Sequence, residues 1–228
     1  MKTFTHPPQT ASVPPKAAPL ASHRIPVNPF STRFTRPGQI ASLNCGGHFL
    51  NPNDLIERLQ FLGGTAVIQG PHGSGKTTLL THLSQELANR GDLAACVRLR
   101  SSGDASVVFR SIAGSRPGTT LCLDSWEQAG LLLGKLVRLA TTLRRCGLLV
   151  TCHRPSGMPV LMQCETSPLL LKSIVEQLPD HQQIRSSLIH EADVQDAFLK
   201  CGGNIRESLY DLYDRFEQRV RPHSNARP

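Results

Sequence analysis

The sequence predicts an α/β fold in three layers, a parallel sheet of about five strands with helices on both faces, followed by a small C-terminal helical lid. Three observations predict it. Between residues 63 and 166, short apolar runs bounded by turns alternate with longer stretches of helical period, the pattern of strands joined by crossover helices. A glycine-rich turn, Gly70-Pro71-His72-Gly73-Ser74-Gly75-Lys76-Thr77-Thr78, separates the first strand-like run from the first helical one. From Ser167 onward only helical periods follow.

Residues 1 to 27 hold Pro7, Pro8, Pro14, Pro15, Pro19 and Pro26 among Ala, Ser and Thr, with too little apolar surface to offset the entropy of ordering. A disordered arm is expected there. Over residues 28 to 62, Phe30, Phe34 and Ile40 alternate with Arg33, Arg36 and Pro37 as a linker lying along the domain, and a short helix follows. Asn53 or Asp54 would cap that helix, Leu55, Leu59, Phe61 and Leu62 would form its apolar face, and Gly63-Gly64 would stop it.

Residues 65 to 69 form the first strand of a core domain spanning 63 to 166. A helix over 76 to 90 places Leu79, Leu80, Leu83 and Leu87 on one side and stops at Gly91. Strands are expected over 94 to 99, 120 to 124, 147 to 151 and 160 to 164. A short helix lies over 104 to 113, and a long one over 127 to 145 carries a stripe of Leu131, Leu132, Lys135, Leu139 and Leu143 beside a basic edge. In the lid, residues 167 to 220, Ser167 and Pro168 supply N-cap and first helical residue, Pro179 ends that helix, and two more run over 191 to 201 and 205 to 220. Residues 221 to 228 are expected to be a disordered tail.

Composition bounds the function. The 228 residues suffice for one core and an appended lobe. No stretch approaches the ~18 apolar residues of a membrane span, and residues 1 to 20 lack a signal-peptide core, so a soluble, cytoplasmic protein without a membrane partner is expected. Seven cysteines without a C-x-x-C pair point to reduced thiols, with Cys96 and Cys122 as small core hydrophobes. Of the formal charge of +8, residues 1 to 40 carry +5 and residues 217 to 228 carry +2, which leaves +1 for the rest. A nearly neutral core argues against a broad basic groove, while the basic tails leave weak, salt-dependent contact with nucleic acid open.

The turn at residues 70 to 78 fits the phosphate-binding loop pattern G-x-x-x-x-G-K-[ST] at every fixed position. Gly70, Gly73 and Gly75 allow positive φ, so consecutive N–H groups point at a polyphosphate while no side chain blocks its approach. Lys76 reaches the β- and γ-phosphates, and the Thr77 hydroxyl is placed to ligate Mg²⁺. These are the residues of a P-loop NTPase fold, with ATP and Mg²⁺ as the expected cofactors. Asp124 ends the third strand at the carboxyl edge of the sheet, where a carboxylate can hold the same ion beside Thr77. Glu127, three residues on, is either a general base or a first-turn glutamate favoured by the helix dipole. Thr151 ends the fourth strand and faces the γ-phosphate. Arg154 is either a charge-neutralising group or a solvated loop arginine, and His153 has no settled role. His72 shapes the loop and Trp126 packs against it. Gly202-Gly203-Asn204-Ile205-Arg206-Glu207 reads as a helix stop followed by an Asn cap, which fixes Arg206 in a first turn where an outside anion, or pairing with Glu207 or Asp211, would occupy it.

Taken together, these residues resemble an additional-strand P-loop ATPase, and GGNIRE resembles the sensor 2 element of AAA+ ATPases. The resemblance implies that Arg206 is that sensor, Thr151 the sensor 1 position, Asp124 the Walker B acid and Glu127 a displaced catalytic glutamate, the slot after Asp124 being Ser125. It also implies the sheet order 5-1-4-3-2. Over roughly residues 28 to 220 the layout is similar to a group of small ATPases of planctomycete bacteria.

The leading expectation is a Mg-dependent ATPase that acts as a switch or small motor, with a protein partner or a homo-oligomer as its association. A small-molecule or nucleotide kinase is the second reading, and an ATP-dependent binding or signalling module with little hydrolysis is the third. No N-K-x-D element for guanine and no L-S-G-G-Q transporter signature occurs.

Overall fold

Five apolar runs assemble into one parallel sheet in the order β2-β3-β4-β1-β5. The strands are β1 (Thr65–Gln69), β2 (Leu93–Arg98), β3 (Thr120–Asp124), β4 (Gly147–Cys152) and β5 (Val160–Gln163). This computed structural model describes residues 27–179 and 188–224. The proline-rich arm before Val27 and the last four residues lie outside them.

The expected α/β class, sheet order and three layers are all present. Crossover connections explain the layering, because each strand–helix–strand unit must return its helix onto a sheet face. Helix α1 (Thr32–Thr35) is a single turn, and α2 (Pro52–Phe61) precedes the sheet. The crossover helices are α3 (Lys76–Asn89), α4 (Ala105–Gly114) and α5 (Gly130–Leu143). On one face Ala66, Ile68, Leu149 and Leu161 meet the leucines of α3 and α2. On the other, Val67, Leu121, Leu123 and Val150 meet Val108 and Ile112 of α4 and Leu133 and Val137 of α5. Period-two alternation along buried strands produces these two cores.

Helices α6 (Pro168–Gln177), α7 (Glu191–Lys200) and α8 (Ile205–Ser224) enclose a third core. Its anchor comes from the far end of the chain. Phe30 is 1% exposed and packs edge-on against Phe216, with ring centroids 6.4 Å apart. Beside it the Asn28 side-chain amide donates to the Tyr213 carbonyl at 3.1 Å and to Glu217 at 2.9 Å. Charge also ties α7 to α8. Arg215 pairs with Asp193, Asp196 and Asp211, and Arg219 holds Asp193 at 2.7 Å. Hydrogen bonding from Arg219 pulls the Asp193 carboxyl far below the usual carboxylate range.

Several elements differ from expectation for physical reasons. Asn51, not Asn53 or Asp54, caps α2, because Pro52 fits the first helical position and Asn51 Oδ1 accepts from the Asn53 N–H at 3.1 Å. Leu55, Ile56 and Leu59 face the core while Phe61 is exposed. The long helix over 127 to 145 is two elements, a 3₁₀ turn (Trp126–Ala129) and α5, because Gly130 adopts φ +65° between them. Its predicted stripe points outward. Leu133, Gly134, Val137 and Thr141 are buried instead, with Gly134 letting the Trp126 ring approach. Cys96 is exposed, since β2 is an edge strand, whereas Cys122 is buried as expected. Helix α8 continues to Ser224, four residues past its expected end.

Phe30→Ala is expected to lower stability by about 3–5 kcal/mol, the usual cost of a phenylalanine cavity. Urea unfolding followed by circular dichroism measures it.

Candidate functional site

The site is built where β1, β3 and β4 end side by side. The chain leaves β1 at Gln69 and turns through Gly70 into the loop before α3. Gly70 is nearly extended, at φ 158°, and not curled as expected; its requirement is steric, because a Cβ there would overlap the Cys164 carbonyl. Gly73, at φ +72°, and Gly75, at φ +87°, do occupy the left-handed region. A Cβ at Gly73 would also overlap the Asn204 side chain, so the loop touches the start of α8. Within the loop, the Pro71 carbonyl accepts from Ser74 Oγ at 2.9 Å and from Lys76 Nζ at 2.5 Å. Lys76 is 6% exposed, and burial pushes its pKa below the ordinary lysine value, against the opposing pull of Cys164, Glu127 and Asp124.

Three strand ends converge on one carboxylate. Asp124 is buried at the end of β3 and accepts from the Thr77 hydroxyl, at 3.1 Å to Oδ1 and 3.3 Å to Oδ2. The Thr151 hydroxyl at the end of β4 donates to Asp124 Oδ1 at 2.7 Å, and accepts in turn from the Ser125 N–H at 2.9 Å. Ser125 adopts φ 65°, a strained turn for a non-glycine residue. The parallel register pairs Arg98 of β2 with Asp124, and the Arg98 Nε lies 3.6 Å from Asp124 Oδ2. The sequence reading missed Arg98, whose only signal was a basic residue at a strand end.

Glu127 lies on the 3₁₀ turn after β3, with Oε1 3.2 Å from His153 Nε2. His153 Nδ1 donates to the Gly70 carbonyl at 3.3 Å, and its ring stacks on His72 with centroids 3.6 Å apart. Holding both partners requires a proton on each ring nitrogen. Burial, then the charge of Lys76, instead pushes the His153 pKa below its ordinary value, with Glu127 pulling the other way and His72 adding to the decrease.

These residues line one cavity of about 470 Å³. His72 through Thr78, Asp124, Glu127, Thr151 and Arg206 all reach it, whereas Gly70 and Pro71 shape the loop from behind and Arg154 lies outside. The N-terminal segment and the C-terminal helices complete its lining, with apolar Pro37, Ile40, Ala41, Ile174, Ile205 and Leu209 beside polar Thr35, Arg36, Ser42 and Tyr210. The sequence pattern of Phe30, Phe34 and Ile40 placed that segment against the domain but did not place it in the site. Asn204 caps α8 by accepting from the N–H groups of Arg206 at 3.1 Å and Glu207 at 3.3 Å. Asp211 is taken by Lys200 and Arg215, so Arg206 has no carboxylate partner among the described residues and faces the cavity as a bare cation.

The donor set suits a polyphosphate with a hard cation. Amides of the loop, Lys76 and Arg206 supply positive potential, while Thr77 and Asp124 offer adjacent oxygens of the kind Mg²⁺ prefers. No cluster of three His, Cys, Asp or Glu ligands occurs among the described residues, so a cation here would complete its shell with phosphate and water oxygens. No described helix is long and apolar enough to cross a membrane.

No family model and no curated protein matches the sequence. Among solved structures, a lysine-to-arginine mutant of Thermotoga maritima RuvB is similar with a TM-score of 0.54 at 16% identity, over 77% of this chain and 62% of that one. A threonine-to-valine mutant of the same protein gives 0.53 at 17%, over 77% and 62%. An arginine-to-alanine mutant gives 0.51 at 17%, over 78% and 65%. This chain thus spans less than two thirds of the length of those structures. The likeness shows a shared fold, that of P-loop NTPases.

The His153 ring is expected to titrate below about 6.5, its ordinary midpoint. In Lys76→Ala the midpoint should rise, because a neighbouring cation is gone, yet stay depressed by burial. Proton NMR of the imidazole Cε1–H follows both.

Proposed function

We propose that the protein is a Mg-dependent ATPase of the AAA+ kind, a switch or small motor with a core over residues 63 to 166 and a helical lid from residue 167. The observation that carries the proposal is the meeting of Thr77, Thr151 and Arg98 on Asp124, at the floor of a cavity whose rim holds the unpaired Arg206. The apolar residues that the N-terminal segment and the C-terminal helices add to the cavity suit a flat base and support a nucleoside triphosphate over a bare polyphosphate.

When bound, magnesium would neutralise charge between the outer phosphates. The residues of the chain do the rest. Loop amides and Lys76 grip the phosphates, while Thr77 and Asp124 hold the cation's side of the site. Thr151, bonded to both Asp124 and the Ser125 N–H, couples the end of β4 to that carboxylate. Glu127 is the base that orients water, and His153 controls it, since a neutral ring protonated at Nδ1 keeps Gly70 and releases Glu127. Arg206 and the contact of Asn204 with Gly73 link phosphate occupancy to α8.

A second reading, a module that senses ATP with little turnover, draws support from Ser125 standing next to Asp124 and from the tie between Glu127 and His153. Lys76→Ala is expected to abolish ATP binding. Glu127→Gln should retain ATP and slow phosphate release by about 10²-fold or more if Glu127 is the base. Unchanged turnover in that variant would remove Glu127 from the chemistry, and absence of ATP affinity in the native chain with Mg²⁺ would overturn the whole proposal.

Arg98 occupies Asp124 from the side where a cation is needed. Arg98→Ala should therefore lower the Mg²⁺ concentration for half-maximal ATP binding by up to about fivefold, the reach of an exposed ion pair. A magnesium titration monitored with a fluorescent ATP analogue measures the shift.

A further inference from the structure

Helix α5 carries leucines on two sides, and the protein uses only one of them. Leu133 and Val137 pack on the sheet, and Thr141 is buried on the same side. On the outer side Leu132 is 75% exposed, Leu136 46%, Leu139 56% and Leu143 74%. Their spacing is four, three and four residues, the repeat that brings side chains into one column when two helices pack at a shallow angle. The column is about 16 Å long at 1.5 Å per residue, roughly three turns. Exposed leucines in a continuous column mark a contact surface, where scattered ones would not.

Charge selects what covers it. Lys135 and Arg138 run beside the column, and neither has an ion-pair partner among the described residues. Helix α5 contains no aspartate or glutamate. Two copies of α5 pairing through this column would bring like charges together, on a chain that already carries +8. A bilayer would demand a wide apolar face, and apart from the exposed Leu131 at its start this helix offers one leucine column with cations beside it, while its other side is committed to the sheet. A single column with a basic flank matches an amphipathic helix whose own apolar column is flanked by carboxylates.

We propose that the outer face of α5 is a docking seam for an acidic amphipathic helix of another protein, gripped by Leu132, Leu136, Leu139 and Leu143 and oriented by Lys135 and Arg138. The seam begins two residues after Gly130, where the turn carrying Glu127 ends, so the docked helix lies next to the catalytic segment. It uses no residue of the nucleotide cavity.

The test uses the full chain and a fluorescent peptide of about 21 residues, three heptads with leucine at both core positions and glutamate on the flanks, beside a twin carrying lysine on the flanks. Fluorescence anisotropy at low salt should show the glutamate peptide binding at least about tenfold more tightly than its twin, with the preference shrinking at high salt. Leu136→Ser with Leu139→Ser should weaken it by about tenfold or more, and Lys135→Glu with Arg138→Glu should reverse the peptide preference. All four positions are exposed, and thermal melts of the variants verify folding. Lys76→Ala should bind the peptide like the native chain, which separates this result from the fate of the ATPase proposal. Equal binding of both peptides, no binding of either, or indifference to the leucine substitutions would overturn the proposal. So would sedimentation of the protein with vesicles containing about a quarter phosphatidylserine while the acidic peptide fails to bind. A self-association lost in Leu139→Ser, without peptide binding, would assign the seam to a second copy instead.

Discussion

A single carboxylate, buried at the end of a central strand, sets the terms for the rest of the site. Asp124 has little water to solvate its charge, so the chain must surround it with donors. Thr77 arrives from the first turn of α3, Thr151 from the end of β4 and Arg98 from the edge strand. Each depends on a different feature of the fold: the loop that starts α3, the parallel register of β3 with β4, and that of β2 with β3. A slip in any of them would remove one of the groups that compensate that charge. The chemistry and the topology therefore stabilise each other.

The same geometry explains how the C-terminal helices become part of the site without contributing to the sheet. Gly73 lacks a side chain where Asn204 caps α8, so the phosphate loop and the helix start share one contact. Arg206 follows in the first turn and makes no ion pair with a carboxylate among the described residues. At a helix start, which already bears partial positive charge, a cation without a partner is costly unless an anion arrives. The cavity is thus lined by a cation whose place at a helix start is locally unfavourable.

Much of this was legible in the sequence, for reasons that differ by element. β1 and β3 are continuous apolar runs between unambiguous turns, and their bounds agree to the residue. The phosphate loop is dictated by backbone geometry, which only a narrow set of residues permits. Helix α5 was harder, because leucines populate both of its sides and periodicity does not say which side goes inward. The small residues decide it: Gly134 admits the Trp126 ring, and Thr141 satisfies its buried hydroxyl on the Val137 carbonyl at 3.0 Å. Arg98 needed the register, and the Asn51 cap required weighing Pro52 as a first helical residue. The contribution of residues 32 to 43 to the cavity rests on a long-range contact, Phe30 with Phe216, that no local pattern contains.

That aromatic contact also decides how mechanical load would enter the molecule. Asn28 and Phe30 are fastened to Tyr213, Phe216 and Glu217, so tension applied upstream of residue 27 is delivered to α8 before it reaches any strand. Since α8 begins at the cap that touches Gly73, a single helix connects the contact made by the N-terminal segment to the loop before α3.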